Sequence, residues 1–185
     1  MDNGIVYKHI RKIFCLSVAA CVGIFGLFVV ACNNEEQSEK PPLIVDNCEV
    51  VAEDTLYGAA DGGNDFIAVC NSFGEFKREC LRNGYDFFDK NNEYNYYDTI
   101  AGETLRGYTD VYFADKAFVV CAFYRSSWGG QYRIQKVNVT ENKLTLYIRY
   151  PESETEDDVI NRMFLVAGVD KSLVYGVTEV IKEFI

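Results

Sequence analysis

The side chains able to do chemistry are unevenly supplied in this chain. Its one histidine, His9, lies in a short basic stretch at the N-terminus. From Ile13 onward there is no imidazole, so Ser-His-Asp and Cys-His catalysis have no base and a histidine-containing zinc site has no ligand. Carboxylate, Ser-Lys or tyrosine chemistry is open by composition, but no motif supports any of them. Four cysteines, Cys48, Cys70, Cys80 and Cys121, fall in the region that reads as folded. An even number permits two disulfides in three pairings. A free cysteine also behaves as a small buried hydrophobe, and both readings stay open. Cys70 and Cys121 lie in apolar runs, FIAVC and FVVCAFY, and Cys80 follows Phe76 by one helical turn. There is no CxxC pair, so no zinc site built from four thiolates is expected. The expectation is a domain without catalytic residues, metal or cofactor.

Three other clusters could carry function by binding. Trp128, the only tryptophan, precedes Gly129 and Gly130 and is followed closely by Tyr132. An aromatic residue at a hairpin turn can anchor a partner, or it can fold back onto the sheet. Tyr94, Tyr96 and Tyr97 stand among Asn91, Asn92 and Asn95, a mixture suited to a sugar-binding surface. Tyrosine also packs its ring on a fold while its hydroxyl stays wet, which needs no ligand. Glu152 to Asp158 holds five acids in seven residues, but without the spacing or turn glycine of an EF-hand it reads as a solvated run.

These residues are held by a chain with a clear order. Lys8, Arg11 and Lys12 precede an uncharged run from Ile13 to Ala31, the layout of a secretory signal. A run of this length could also span a bilayer. Val29-Val30-Ala31-Cys32 resembles the lipobox of bacterial lipoproteins, which implies cleavage before Cys32 and lipidation of its thiol. Val18-Ala19-Ala20-Cys21 fits the same short pattern, but cleavage there would leave an apolar start, whereas Asn33-Asn34-Glu35-Glu36 follows Cys32 at once. The expected division is therefore a signal peptide over 1–31, a lipidated cysteine and flexible tether over 32–42, and one globular domain over 43–185. The tether NNEEQSEKPP has no aliphatic or aromatic residue to bury. About 140 residues remain, enough for one domain with a real core. On this reading the protein faces outside the cytoplasm, held to the cell membrane by its lipid.

Charge narrows the partners. The chain has 18 basic and 28 acidic residues, for −10; without Lys8, Arg11, Lys12 and Asp2 the balance is 15 against 27, or −12. Nucleic acid, which is bound by neutralising phosphates with Lys and Arg, is not expected as a partner.

Periodicity predicts the fold. Cys48–Tyr57 and Phe66–Cys70 read as strands. Ser72 and Glu75 have capping-box spacing before a helix over 72–83, with Phe73, Phe76, Cys80 and Leu81 on its inner face and Asn83-Gly84 as the stop. Tyr85 to Arg106 reads as loop and Tyr112–Lys116 as a single turn. Strands follow at Phe118–Tyr124, Tyr132–Val139, Leu144–Tyr150, Met163–Val169 and Val177–Ile185, with Pro151–Asp158 as an acidic loop. Leu144, Leu146 and Ile148 alternate cleanly, whereas the run from Tyr132 has mixed facing. The expected class is α+β: a largely antiparallel sheet, curled or sandwich-like, with one main helix.

Several of these runs are familiar in their order. Tyr112-Phe113-Ala114-Asp115-Lys116, Phe118-Val119-Val120, Gly129-Gly130-Gln131-Tyr132-Arg133-Ile134, the strand Lys143–Tyr147 and Phe164-Leu165-Val166 together resemble the C-terminal domain of the protease complex subunit PrcB. The helical unit Asn71–Leu81 before them matches the same layout, so the resemblance spans Phe66 to Ile185. It departs at the turn, where Trp128-Gly129-Gly130-Gln131-Tyr132 stands in place of Thr-Gly-Gly-Tyr. The resemblance implies a partner of a protease or other surface protein, with no catalysis of its own. A solute- or carbohydrate-binding lipoprotein using the tyrosine loop is the alternative. A chagasin-like protease inhibitor is a further one, although the Asn-Pro-Thr-Thr-Gly motif of that family is missing.

Overall fold

The computed structural model describes residues 43–56, 63–128, 131–151 and 155–185; at 43–45, 125–128 and 155–160 it describes the backbone alone. Residues 1–42, read above as a signal peptide, lipidated cysteine and tether, therefore lie outside the described residues. A compact unit runs from Pro42 to Ile185. Its strands are β1 (Leu43–Val45), β2 (Cys48–Leu56), β3 (Phe66–Cys70), β4 (Lys116–Trp128), β5 (Arg133–Thr140), β6 (Lys143–Arg149), β7 (Thr155–Asp170) and β8 (Glu179–Phe184). Its helices are α1 (Phe73–Arg82) and α2 (Ile100–Arg106). The class is α+β. One sheet has the order β1-β2-β7-β4-β3 and the other β5-β6-β8, and all pairings are antiparallel except β6 with β8.

The larger sheet is buried on both faces. Phe118, Val120 and Ala122 of β4 and Phe164 and Val166 of β7 face a core shared with α1, α2 and the loop between them. Ala117, Val119, Cys121 and Phe123 of β4 face the opposite core with Met163, Leu165, Ala167 and Val169 of β7, against Leu144, Leu146 and Ile148 of β6. That is why FVVCAF and MFLVAGV read as unbroken apolar runs: a strand covered on both faces has no solvent side to make polar. The smaller sheet covers one face, and the helices with their aromatic loop cover the other.

The mixed facing of β5 has a physical cause. A bulge between Ile134 and Lys136 shifts the register against β6. Tyr132 and Ile134 point inward before it and Val137 after it, so the extra residue switches the phase of the alternation. Glu53 of β2 holds this bulge in place. One carboxylate oxygen accepts the backbone N–H of Ile134, and the other accepts from the Arg133 guanidinium at 3.1 Å.

The expected helix forms with its expected cap. The Ser72 hydroxyl accepts the Glu75 N–H at 3.1 Å, and the Glu75 carboxylate reaches back to the N–H of Asn71 at 2.7 Å, one residue beyond the usual partner. Phe76 and Cys80 are buried as read, but Leu81 is 62% exposed and does not belong to the inner face. Two further expectations are corrected. The stretch read as loop from Tyr85 to Arg106 contains α2, a second α-helix among the described residues beside the expected main one. Thr99 caps α2 by accepting the Gly102 N–H at 3.0 Å, and Gly102 has no room for a Cβ, which would lie 2.3 Å from the Tyr96 carbonyl oxygen. The acidic loop is shorter than read. β7 already runs from Thr155, while Glu152 to Glu154 lie outside the described residues.

At the rim of the smaller sheet, Lys182 on β8 shares a face with the inward residues Val180 and Phe184. Its ammonium sits 4.9 Å from the Phe123 ring centre and 3.8 Å from the Asp65 carboxylate.

Packing of the turn at Tyr112–Ala114 onto β7 depends on Gly168. A Cβ there would lie 2.0 Å from the Tyr112 hydroxyl oxygen and 3.3 Å from Val51. Gly168→Ala is expected to lower unfolding free energy by about 1–3 kcal/mol through overpacking. Combining it with Tyr112→Phe, which removes the obstructing atom, should restore most of the loss in urea unfolding followed by circular dichroism. A double variant no more stable than Gly168→Ala would contradict this account.

Candidate functional site

The tyrosine loop is not one surface. Tyr96 is buried in the core, its ring 5.5 Å from those of Tyr85 and Phe87 and 5.7 Å from that of Tyr94. Burial pushes its hydroxyl well above the usual phenol pKa. Tyr97 lies under the Arg106 guanidinium, 3.6 Å from its ring centre. Arg106 also donates to the carbonyl oxygens of Tyr97 and Phe87, tying α2 to the loop. Of the three candidates, Tyr94 lines an open cavity.

That cavity is a hollow of about 350 Å³ at the side of β2. Its walls include Asp54 from the strand, Tyr94, Asn95 and Asp98 from the loop, and Thr99 and Ile100 at the start of α2. Asn95 adopts a left-handed backbone (φ 50°), which turns the chain between Tyr94 and the 3-10 turn at Tyr96–Asp98. Asp54 accepts the Ala101 N–H at 2.8 Å, and burial raises its carboxyl pKa above the ordinary value. Ile100 is 71% exposed. Sequence reasoning missed Asp54; its only signal was the adjacent acids Glu53 and Asp54 in an otherwise apolar strand. Thr99 and Ile100 were missed with the helix they begin.

A second hollow of about 480 Å³ lies at the opposite end of the larger sheet, beside Asn47, Glu49, Lys116, Asp170 and Leu173. Its lysine is already matched: Lys116 Nζ is 2.8 Å from the Asp170 carboxylate.

The turn expected to present a partner-binding surface is corrected at one position. Tyr132 is 2% exposed and packs edge-on to Phe123 at 5.3 Å, so it belongs to the core. The backbone of Trp128 ends β4 opposite Thr155; its side chain, Gly129 and Gly130 lie outside the described residues. Beyond these, a buried polar group unites the aromatic layer. Arg162 on β7 is 1% exposed, donates to the Tyr85 hydroxyl at 2.7 Å and lies 3.4 Å from the Tyr124 ring centre. Tyr85 in turn donates to the Asn64 carbonyl at 3.2 Å.

Cys48, Cys70, Cys80 and Cys121 are all free, buried thiols. Cys70 and Cys80 face the helix-side core, while Cys48 and Cys121 face the core between the sheets. Burial pushes the Cys48 thiol up to about 11 and those of Cys70 and Cys121 up to about 12, with Cys80 also well above the usual value. All four are therefore protonated at neutral pH, when the thiolate is the nucleophile. Among the described residues, no group of three or more His, Cys, Asp or Glu is placed to hold a metal ion. Also among them, no helix is long and apolar enough to cross a membrane.

Comparison with protein families, curated proteins and solved structures finds no match. The site must therefore be read from its own chemistry.

The thiols give a pH signature. Their folded pKa values lie above the unfolded value of 9.0, so between about pH 9 and 11 the unfolded chain loses protons that the folded chain keeps. Stability should accordingly be insensitive to these groups below pH 8 and fall as pH rises through that window, by up to about 1.4 kcal/mol per pH unit for each thiol. Urea unfolding at pH 8 and pH 10 checks this, with Cys121→Ala expected to reduce the slope. An unchanged slope would count against the burial argument.

Proposed function

We propose that the chain is an exported lipoprotein, anchored through Cys32, whose domain binds a protein partner outside the cytoplasm and performs no chemistry itself. The observation that carries this reading is where the reactive groups lie. The four domain thiols are packed into two cores and held protonated, whereas the groups that reach solvent around the hollows are fixed polar and aromatic side chains suited to contact. The lipobox-like Val29-Val30-Ala31-Cys32 and the polar run after it support the anchor, and the described domain begins directly past that run, at Leu43. Ten tether residues, Asn33 to Pro42, reach about 35 Å when fully extended, which on this reading limits how far the start of the domain stands from the membrane. The likeness of Phe66–Ile185 to the PrcB C-terminal domain makes a protease complex the first partner to seek. A carbohydrate-binding role finds less support, because Tyr96 is buried in the core and Tyr97 lies under the Arg106 guanidinium.

Mass spectrometry of the protein from membranes should find an N-terminal peptide beginning at Cys32 with acyl chains attached, and Cys32→Ala should accumulate unprocessed precursor. A chain beginning at Met1 or at Cys21 would overturn the anchor. Cross-linking on cells should recover a specific surface protein, with less recovered by Trp128→Ala if that loop makes the contact. Recovery of no partner would sink the protein-binding reading.

A further inference from the structure

We propose that Asn83-Gly84, the pair that caps α1, is a site of spontaneous modification. The Asn83 side-chain amide is converted to aspartate or isoaspartate when the cap opens, and the product keeps the cap from re-forming.

Hydrogen bonds end the helix in a defined way. The Gly84 N–H donates to the Leu81 carbonyl at 3.1 Å, and the Tyr85 N–H donates to the Cys80 carbonyl at 2.8 Å. Together these bonds make a Schellman motif, which needs a residue of positive φ just past the helix. Gly84 supplies it, at φ 87°. Asn83 is held through backbone and side chain alike. Its N–H is shared between the Glu79 and Cys80 carbonyls at 3.2 and 3.1 Å, and its carbonyl accepts the Asn64 N–H at 2.8 Å. Its Nδ2 donates to the Glu79 carbonyl at 2.8 Å.

The glycine that permits this cap also makes it chemically vulnerable. Without a Cβ, Gly84 leaves its own nitrogen unhindered beside the Asn83 amide. Once that nitrogen gives up its proton to solvent base, it can attack Asn83 Cγ. The Cγ–Nδ2 bond breaks, Nδ2 takes up a proton and leaves as ammonia, and a cyclic imide remains. Water then adds at either imide carbonyl, opening the ring to aspartate or to isoaspartate. Nothing is oxidised or reduced, and water is the co-reactant. Gly84 is exposed and Asn83 half-buried, so solvent reaches the pair. Among the described residues, no other asparagine is followed by glycine.

The closed cap withholds the reaction. The Gly84 N–H is engaged with Leu81, and the bond from Nδ2 to Glu79 draws the Asn83 side chain back along the helix. Ring closure needs Cβ and the Gly84 nitrogen eclipsed about the Cα–C bond, and ψ of 9° at Asn83 does not give that. These constraints are released together when the helix end opens, which costs less than global unfolding.

The product cannot restore what was lost. An aspartate at this position has a carboxylate oxygen where Nδ2 donated, so the contact with the Glu79 carbonyl becomes repulsive. Its charge also sits at the negative end of the helix. Isoaspartate lengthens the main chain by a methylene and displaces the carbonyl that accepts from Asn64. Tyr85, which follows the pair and donates to the Asn64 carbonyl at 3.2 Å, loses its fixed entry into the aromatic layer.

The test incubates the full-length chain in detergent micelles in mildly alkaline buffer, with and without guanidinium chloride, and follows the peptide containing Asn83 by mass spectrometry. The expected product has the amide NH2 replaced by OH at Asn83, formed about tenfold faster or more in the denatured chain than in the folded one. Arg82 is 72% exposed in the last turn of α1. Arg82→Gly weakens that turn, so it should speed the reaction about fivefold in the folded chain and leave the denatured rate unchanged. Asn83→Asp, the product with an unaltered main chain, should speed hydrogen exchange at the Tyr85 amide about threefold or more. An unmodified Asn83 in the denatured chain would overturn the site, and equal rates in folded and denatured chains would overturn its gating by the cap. An unchanged folded rate in Arg82→Gly would do the same. Wild-type exchange at Tyr85 in Asn83→Asp would overturn the claim that the product keeps the cap open.

Discussion

The antiparallel pairing of β4 with β7 is the constraint on which the rest of the molecule hangs. These are the two longest strands, and their register runs from Lys116 opposite Asp170 to Trp128 opposite Thr155. Alternate residues of each feed two separate cores, so one pair of strands organises everything packed on either side. The smaller sheet needs this surface to bury Leu144, Leu146 and Ile148, and α1 needs it to bury Phe76 and Cys80. A single residue of slip would exchange the two sets of side chains between unlike environments. On the helix side the sheet meets large rings, among them Phe76, Phe87 and Phe113; on the other it meets mainly aliphatic residues. The two faces are thus not interchangeable, and the register follows from that inequality.

Much of this was legible in the residues. The clean alternation of Leu144, Leu146 and Ile148 placed β6 correctly, and the spacing of Ser72 and Glu75 placed the start of α1. The unbroken apolar character of FVVCAF and MFLVAGV announced burial, but it could not say that the two runs pair with each other. Two features were hidden for physical reasons. The bulge in β5 breaks a period-two pattern, so a strand with one consistent inner face reads as having none. The second helix is seven residues long, contains Gly102 and follows a run of tyrosines and asparagines, so neither propensity nor periodicity distinguishes it from loop. Its cap depends on Thr99 and its docking on Asp54, which lies 47 residues earlier in the chain than Ala101.

The candidate site shows the same division. Tyr94, Tyr96 and Tyr97 are neighbours in sequence, yet the 3-10 turn sends one to a hollow, one to the core and one beneath an arginine. Composition identified the cluster, and only the fold could separate its members. Tyr132 illustrates the reverse case. Its place beside a glycine pair suggested exposure, but the phase set by the β5 bulge turns it inward against Phe123. Among the described residues, Tyr85, Tyr96 and Tyr132 are buried, whereas Tyr175 is 91% exposed.

Lys182 adds a consequence of another kind. β8 is the edge of its sheet, and an edge strand offers unpaired backbone groups to any neighbouring chain that can align with it. A lysine turned toward the interior face at this edge, resting on Phe123 and reaching Asp65, would have to be stripped of water and of its carboxylate if a second strand extended the sheet inward over it. Charges placed this way make edge-to-edge aggregation unfavourable.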